Sequence, residues 1–171
     1  LEYQLWKKNS WAISISLLLG LPTGDAAGGS DGSYQTGDGE FNQSLHISVG
    51  KSFPIGKQHF YFKSSVGLNN RSQSYSDEWH FGLETGTKVA KEKLLILGRF
   101  NTRQSLQNGS LSAINSNGSI FANNVEVTNI GGEIIYSFTK KWSINFMGSF
   151  PLSGKVIYKA PALSAGIAVE L

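Results

Sequence analysis

Apolar and polar residues alternate with a period of two along almost the whole chain. This period is typical of β-strands with one apolar and one polar face. From Trp11 to Leu21 the odd positions hold tryptophan, isoleucine and leucine, whereas the even positions are mostly alanine, serine and glycine. The pattern recurs in segments that begin near Phe41, Phe60, Trp79, Leu94, Ile130, Trp142 and Leu163, and residues 1–5 resemble one more strand. The sequence therefore predicts an all-β fold with about nine strands and no helix.

Length and composition narrow the possible classes further. A chain of 171 residues with 40% hydrophobic, 12% aromatic and 16% charged residues is expected to form one domain, residues 1–171, and is too apolar to be disordered. The absence of cysteine excludes disulfides and thiol chemistry. The longest apolar stretch, Ile13 to Leu21, is interrupted by two serines and a glycine. A membrane-spanning helix needs about 18 apolar residues, so a helical membrane bundle is excluded.

Short and long connections follow each other in turn along the chain. Short, often basic turns are predicted at residues 7–10, 54–58, 90–93 and 139–141. Longer loops rich in glycine, serine and asparagine are predicted at residues 22–39, 70–77, 104–123 and 153–161. Tight turns at one end and long loops at the other are typical of bacterial outer-membrane barrels, with antiparallel strands of about ten residues. We therefore expect an antiparallel up-and-down transmembrane β-barrel in the bacterial outer membrane.

The residue types on the two faces favour a membrane barrel over a soluble one. The polar face consists mostly of serine, glycine, asparagine and alanine, which suits a crowded polar lumen better than a solvated exterior. Aromatic residues lie near both strand ends, as in the aromatic belts of membrane barrels. They are Trp11, Phe53, Phe60, Phe138 and Trp142 at the short-turn end and Phe41, Trp79 and Phe150 at the long-loop end. A soluble β-barrel domain that binds a ligand is the alternative.

The predicted topology bears on how complete the barrel is. If the short turns face the periplasm, the first and last strands run in the same direction, which places Leu1 at the extracellular end and Leu171 in the periplasm. A barrel with both termini in the periplasm has an even number of strands. Nine strands do not satisfy this rule, so we expect an N-terminally incomplete domain, the C-terminal part of a barrel with roughly twelve strands.

Several strand-end motifs resemble a known family. The segments LPTGD at Leu21, VGKSF at Val49, YSDEWHFGLE at Tyr75 and LLILGRFN at Leu94 resemble the outer-membrane β-barrel transporter family named for a MetA pathway of phenol degradation. The resemblance implies a barrel of about twelve strands that passes small molecules, aromatic or hydrophobic ones among them. It brings no catalytic or binding residue with it. The chain departs from outer-membrane barrels in one respect, since it ends in Leu171 rather than in Phe or Trp.

The charged and histidine residues of the polar face are the candidate lumen-lining residues. Buried charges need a partner or water, so one interpretation is an ion-pair network that fills the barrel. The other is that Arg99 and Arg103, with Glu84 on the preceding strand, line a permeation path and select solutes by charge. The full set of candidates is Lys63, Lys88, Arg99, Arg103, Glu84, Glu133, Glu170, His46 and His80.

Other kinds of site have weaker support. Asp25, Asp31, Asp38 and Glu40 share one loop, but their spacing fits no EF-hand and glycine and aspartate also suit turns, so no metal or other cofactor is predicted. No catalytic motif accompanies the histidines, and the lysines form no nucleic-acid-binding stripe.

We therefore predict a non-enzymatic barrel for passive passage or uptake of small molecules. Its expected partners are outer-membrane lipid, lipopolysaccharide and a small solute, and its oligomeric state stays open. A structural or adhesive barrel with a plugged lumen is the other membrane alternative.

Overall fold

The chain folds into one antiparallel sheet of nine strands, seen in a computed structural model that describes residues 1–25, 30, 34, 36–111 and 122–170. Every strand pairs with its neighbours in sequence, in the order β1 to β9. The described residues form no helix, as the alternation predicts. The strands are β1 (Glu2–Lys8), β2 (Trp11–Gly20), β3 (Asn42–Ile55), β4 (Gln58–Arg71), β5 (Glu78–Val89), β6 (Leu94–Ser105), β7 (Glu126–Ser137), β8 (Trp142–Lys155) and β9 (Ala162–Val169).

The tight connections lie where the sequence predicts them. Residues 9–10, 56–57, 90–93 and 138–141 join consecutive strands at one end of the sheet, the short-turn end. Asn9 and Ser10 both have positive φ angles, 49° and 67°, the geometry of two-residue hairpins that matches the twist of antiparallel strands. At the opposite, long-loop end, β4 and β8 continue past the predicted boundaries, so the loops before β5 and β9, residues 72–77 and 156–161, are shorter than expected. The connection between β2 and β3, residues 21–41, is slightly longer than expected.

The two faces of the sheet differ in composition and in exposure. The outer face carries the apolar side chains, and the exposed fractions of Leu45, Ile130 and Phe146 are 48%, 48% and 56%. The inner face carries polar ones, of which Ser44 and Asn69 are buried. The buried hydrophobic residues of the described chain are only Leu97, Ala122 and Val125. This distribution is the reverse of a soluble sheet, in which the apolar face is covered.

The sheet is open in the described part of the chain, since β1 and β9 each pair with one neighbour and not with each other. Two register shifts interrupt the pairing, between Gln4 and Trp6 on β1 and between Thr128 and Asn129 on β7. The fold is thus an up-and-down sheet consistent with part of a β-barrel. None of the described residues belongs to a helix long and apolar enough to cross a membrane.

Candidate functional site on the inner face

Cross-strand pairing sorts the inner-face candidates into levels. Lys63, Glu84 and Arg99 are paired in register on β4, β5 and β6. A second row lies closer to the long-loop end, displaced by four positions along each strand. It crosses β3 to β6 and consists of His46, Gly67, His80 and Arg103. Between them lies a row of uncharged residues, which is Ser48, Ser65, Gly82, Asn101 and Asn129. The inner face therefore has two charged levels separated by a neutral one.

The row of Lys63, Glu84 and Arg99 is the lower charged level, and the row that contains His46, His80 and Arg103 is the upper one. The lower charged level is built around Arg99. Arg99 Nε donates to Glu84 Oε2 at 2.7 Å, and Arg99 Nη1 donates to Glu133 Oε2 at 2.7 Å. The Tyr61 hydroxyl donates to Glu84 Oε1 at 2.8 Å, and Asn145 Nδ2 donates to Glu133 Oε1 at 2.8 Å. All four carboxylate oxygens thus accept a hydrogen bond. This Arg99 network (Tyr61, Glu84, Arg99, Glu133 and Asn145) joins β4 to β8.

A second cluster, in which Arg71 and Glu78 are not among the sequence-based candidates, lies at the long-loop end. Arg71, the last residue of β4, donates to Glu40, to Asp38 Oδ2 at 3.2 Å and to Glu78 Oε1 at 3.1 Å. Its guanidinium also lies 4.4 Å from the centre of the Tyr75 ring. Glu40 and Glu78 have side chains only 1% and 3% exposed. This Arg71 cluster (Asp38, Glu40, Arg71 and Glu78) fixes the end of the loop before β3 to the sheet.

One guanidinium serves three carboxylates in the Arg71 cluster, so the negative charge is not fully compensated. Burial, with Asp38 as a nearby like charge, raises the pKa of Glu40 to about 7, although Arg71 opposes the shift. Burial disfavours the charged form of a carboxyl group. Glu40 therefore holds a proton at a pH at which an exposed glutamate would have lost it.

We expect the contribution of Glu40 to stability to decrease as the pH rises. Because the folded-state pKa lies above the unfolded value of 4.5, the contribution is complete below pH 4.5 and is lost as the pH rises through 7. Urea unfolding of the wild type and of Glu40→Gln, compared at pH 4.5 and pH 8, measures this contribution to the free energy of unfolding. The difference in stability between the two proteins should change by about 3 kcal/mol. An unchanged difference would contradict the assignment of the proton to Glu40.

The two histidines of the upper charged level contact each other and their neighbours on the same strands. Their ring centroids are 5.4 Å apart. His46 Nε2 and Ser44 Oγ share a hydrogen bond of 2.7 Å, and His80 Nε2 lies 3.2 Å from Glu78 Oε2. The side chain of Ser44 is buried, and its residue is 3% exposed. The serine hydroxyl therefore serves here as a hydrogen-bond partner of the histidine.

Three inner-face cations make no ion pair within the described residues, and they are Lys63, Lys88 and Arg103. Arg103 and Arg99 are thus unlike, since Arg99 contacts two carboxylates and Arg103 none. Arg103 and His80 line a cavity of about 200 Å³, and Lys63 lines an adjacent one of about 130 Å³. Lys88 lines a cavity of about 500 Å³ at the short-turn end. The inner face therefore presents cations to open space at several levels.

The loops at the long-loop end form a hydrogen-bonded cap. Asn123 Oδ1 accepts from the Ser76 amide at 2.9 Å, and Asn108 Nδ2 donates to Asp77 Oδ2 at 2.8 Å. The hydrogen bond from Asn108 lowers the pKa of Asp77. Lys155 Nζ lies 2.7 Å from Glu126 Oε2. The first two contacts join the loop after β4 to the loop after β6, and the third joins the ends of β7 and β8.

The acidic loop before β3 was considered for metal binding and is only partly described. Asp31 lies outside the described residues. Asp38 and Glu40 belong to the Arg71 cluster, where their oxygens face a guanidinium. Among the described residues no group of three or more histidine, aspartate or glutamate side chains is arranged to hold a metal ion.

Comparison with known proteins identifies no relative. No family model, curated protein or solved structure matches this chain. The resemblance of the strand-end motifs to the phenol-degradation barrel family therefore stays a prediction, and any function has to be inferred from the geometry of the inner face.

Proposed function

We propose that this chain forms the wall of an outer-membrane barrel through which small molecules pass passively. The observation that supports this most is the inverted sheet, with its apolar face exposed and its charges on the inner face. An exposed apolar face of this extent requires lipid or another apolar cover. A charged inner face with cavities suits a water-filled lumen.

The outward aromatic residues of the short-turn end support a membrane boundary at that level. Trp11, Phe138 and Trp142 are 39%, 48% and 45% exposed. Lys51 Nζ lies 4.7 Å from the centre of the Trp11 ring. Tryptophan and lysine together favour the interface between hydrocarbon and lipid headgroups.

A neighbouring pair on β7 tests which face contacts lipid. Ile130 lies on the outer face and Asn129 on the inner face, where it lines the 200 Å³ cavity. We expect Ile130→Arg to lower the free energy of unfolding from lipid vesicles by about 2–4 kcal/mol, the cost of an arginine near the middle of the bilayer. Asn129→Arg, the matched control, places the same side chain next to the cavity and should cost less than about 1 kcal/mol. Equal costs at both positions would argue against a lipid-facing outer face.

Passage through the lumen is tested with the full-length protein. Cell fractionation should find it in the outer-membrane fraction, and liposomes that contain it should swell in an isosmotic solution of arabinose, an uncharged pentose. Liposomes without protein provide the background rate. Protein that fractionates with the outer membrane without swelling would instead favour a structural barrel, because the Arg99 network and the Arg71 cluster both extend across the inner face. Protein found only in the soluble fraction would contradict both membrane functions.

A further inference from the structure

The two smaller cavities of the inner face meet above one glycine. The cavities of about 200 and 130 Å³ share three lining residues, Ser65, Gly82 and Asn101, which are paired in register on β4, β5 and β6. Lys63 lines one cavity and Arg103 the other. These five residues define the Gly82 cleft. Liquid water occupies about 30 Å³ per molecule, so the cleft has room for a solute of several heavy atoms.

Gly82 lets two neighbouring side chains reach over the backbone of β5. A Cβ atom at this position would lie 2.8 Å from Ser65 Oγ and 3.1 Å from Asn101 Oδ1. The Ser65 and Asn101 side chains therefore flank the glycine closely. Neither side chain makes a hydrogen bond within the described residues. The Ser65 hydroxyl is a donor here, whereas the Asn101 atom closest to the glycine is Oδ1, an acceptor, and the donor of this carboxamide is its Nδ2.

The cations of the cleft lie at diagonally opposite corners of this floor. Lys63 lies two residues from Ser65 toward the short-turn end, and Arg103 lies two residues from Asn101 toward the long-loop end. The strand geometry separates their backbones by about 13 Å along the strands and about 10 Å across them. Gly82 lies between them. Two long cationic side chains therefore flank one small polar floor.

Arg103 carries a buried donor that has no acceptor in the described part of the chain. Its Nε atom is fully buried and has no hydrogen-bond partner among the described residues. A buried charged donor without an acceptor is costly. By contrast, the carboxylates of β5 to β7 are all ion-paired, and they are Glu78, Glu84, Glu126 and Glu133. Besides Lys63 and Arg103, the cavities are lined by the ion pair of Glu84 with Arg99, so the net charge of the lining is positive.

We propose that the Gly82 cleft binds a small oxyanion, the carboxylate or phosphate group of a solute, on its way through the lumen. The proposal rests on the proposed function and adds the class of solute. Lys63 and Arg103 supply the charge, the Ser65 hydroxyl and Asn101 Nδ2 donate hydrogen bonds, and Gly82 allows these two side chains to approach each other over β5. Charge-assisted hydrogen bonds of this kind are stronger than neutral ones, so anions enter the cleft in preference to cations.

The direct test is binding to the full-length protein in detergent, with lactate and inorganic phosphate as separate probes. Saturation-transfer NMR of the lactate methyl group and the line width of the phosphate phosphorus report binding. Lys63→Gln with Arg103→Gln should weaken binding about tenfold, which corresponds to about 1.4 kcal/mol. The control, Lys140→Gln with Lys141→Gln in the turn before β8, removes the same charge and should leave binding unchanged.

Filling the floor provides a test without any change of charge. Gly82→Ala places a methyl group beside Ser65 and Asn101, whose flexible ends can move aside, so the protein should fold and binding should decrease. Affinity for lactate above that for phosphate would identify organic acids as the solutes, and the reverse order would identify inorganic or esterified phosphate. The proposal would be overturned if Gly82→Ala and the variant with both Lys63→Gln and Arg103→Gln bound the probes as tightly as the wild type.

Conductance measurements distinguish failure of the anion site from failure of the proposed passive passage. In planar bilayers with a tenfold gradient of potassium lactate, the reversal potential of the wild type should indicate a preference for the anion. The variant with both Lys63→Gln and Arg103→Gln should lose this preference. Swelling in arabinose with no anion preference in any protein would overturn the cleft and leave passive passage intact. Binding of the probes without swelling or conductance would reject passive passage and retain the cleft.

Discussion

Replacement of Arg71 by methionine should lower the free energy of unfolding by about 3–5 kcal/mol, the range found when one partner of a buried ion pair is removed. Three carboxylates of the Arg71 cluster would lose their shared cation, and the side chains of Glu40 and Glu78 are only 1% and 3% exposed. Methionine retains much of the apolar stem, so the lost charge dominates. Urea unfolding in lipid vesicles measures the effect.

Arg103→Met is the matched control for Arg71→Met. Both arginines lie on the inner face toward the long-loop end, but Arg103 contacts no carboxylate in the described part of the chain. Its replacement should cost less than about 1 kcal/mol. Glu78→Gln combined with Arg71→Met should recover part of the loss, because it removes one buried charge that has lost this partner. Similar losses for the two arginines would mean that the charge of Arg71 is not what stabilises this end of the sheet.

The strands and their faces were predictable because one physical rule determines both. In a strand, successive side chains point to opposite faces, so the alternation that predicts a strand also assigns each residue to a face. Arg99 and Glu84 could thus be placed on the same face of adjacent strands, and the structure pairs them in register. The ion pair of Arg99 with Glu133 could not be predicted from the alternation in this way. Glu133 is paired with Leu97, two residues from Arg99, so this contact is a diagonal one that depends on the twist of the sheet.

The Arg71 cluster was missed because the predicted strand ended too early. The sequence predicts a loop at residues 70–77, whereas β4 continues to Arg71. Extending the alternation by one step would have placed Arg71 on the inner face with Asn69. No such rule covers Asp38, which belongs to a loop whose path depends on its own hydrogen bonds and on Arg71. Periodicity therefore predicts the two faces of the sheet better than the loops at its long-loop end.

Replacement of Arg99 by methionine should cost about 2–3 kcal/mol, less than replacement of Arg71. Glu84 and Glu133 would each keep one neutral donor, Tyr61 or Asn145, but would lose the cation between them. The side chains of Arg99 and Glu84 are each 29% exposed, so water partly compensates the abandoned carboxylates. Urea unfolding in lipid vesicles measures this effect as well.

The triple variant Glu84→Gln, Arg99→Met and Glu133→Gln distinguishes charge from packing in the Arg99 network. It removes all three charges together and retains the shape of both former carboxylates, so most of the stability lost in Arg99→Met should return. No recovery would mean that the arginine stabilises β5 to β7 through its packing rather than through its charge. With recovery, the same variant also becomes a test of permeation. A more negative lumen in Arg99→Met should reduce the preference for lactate over potassium, and the neutral triple variant should restore it, since Lys63 and Arg103 are unchanged.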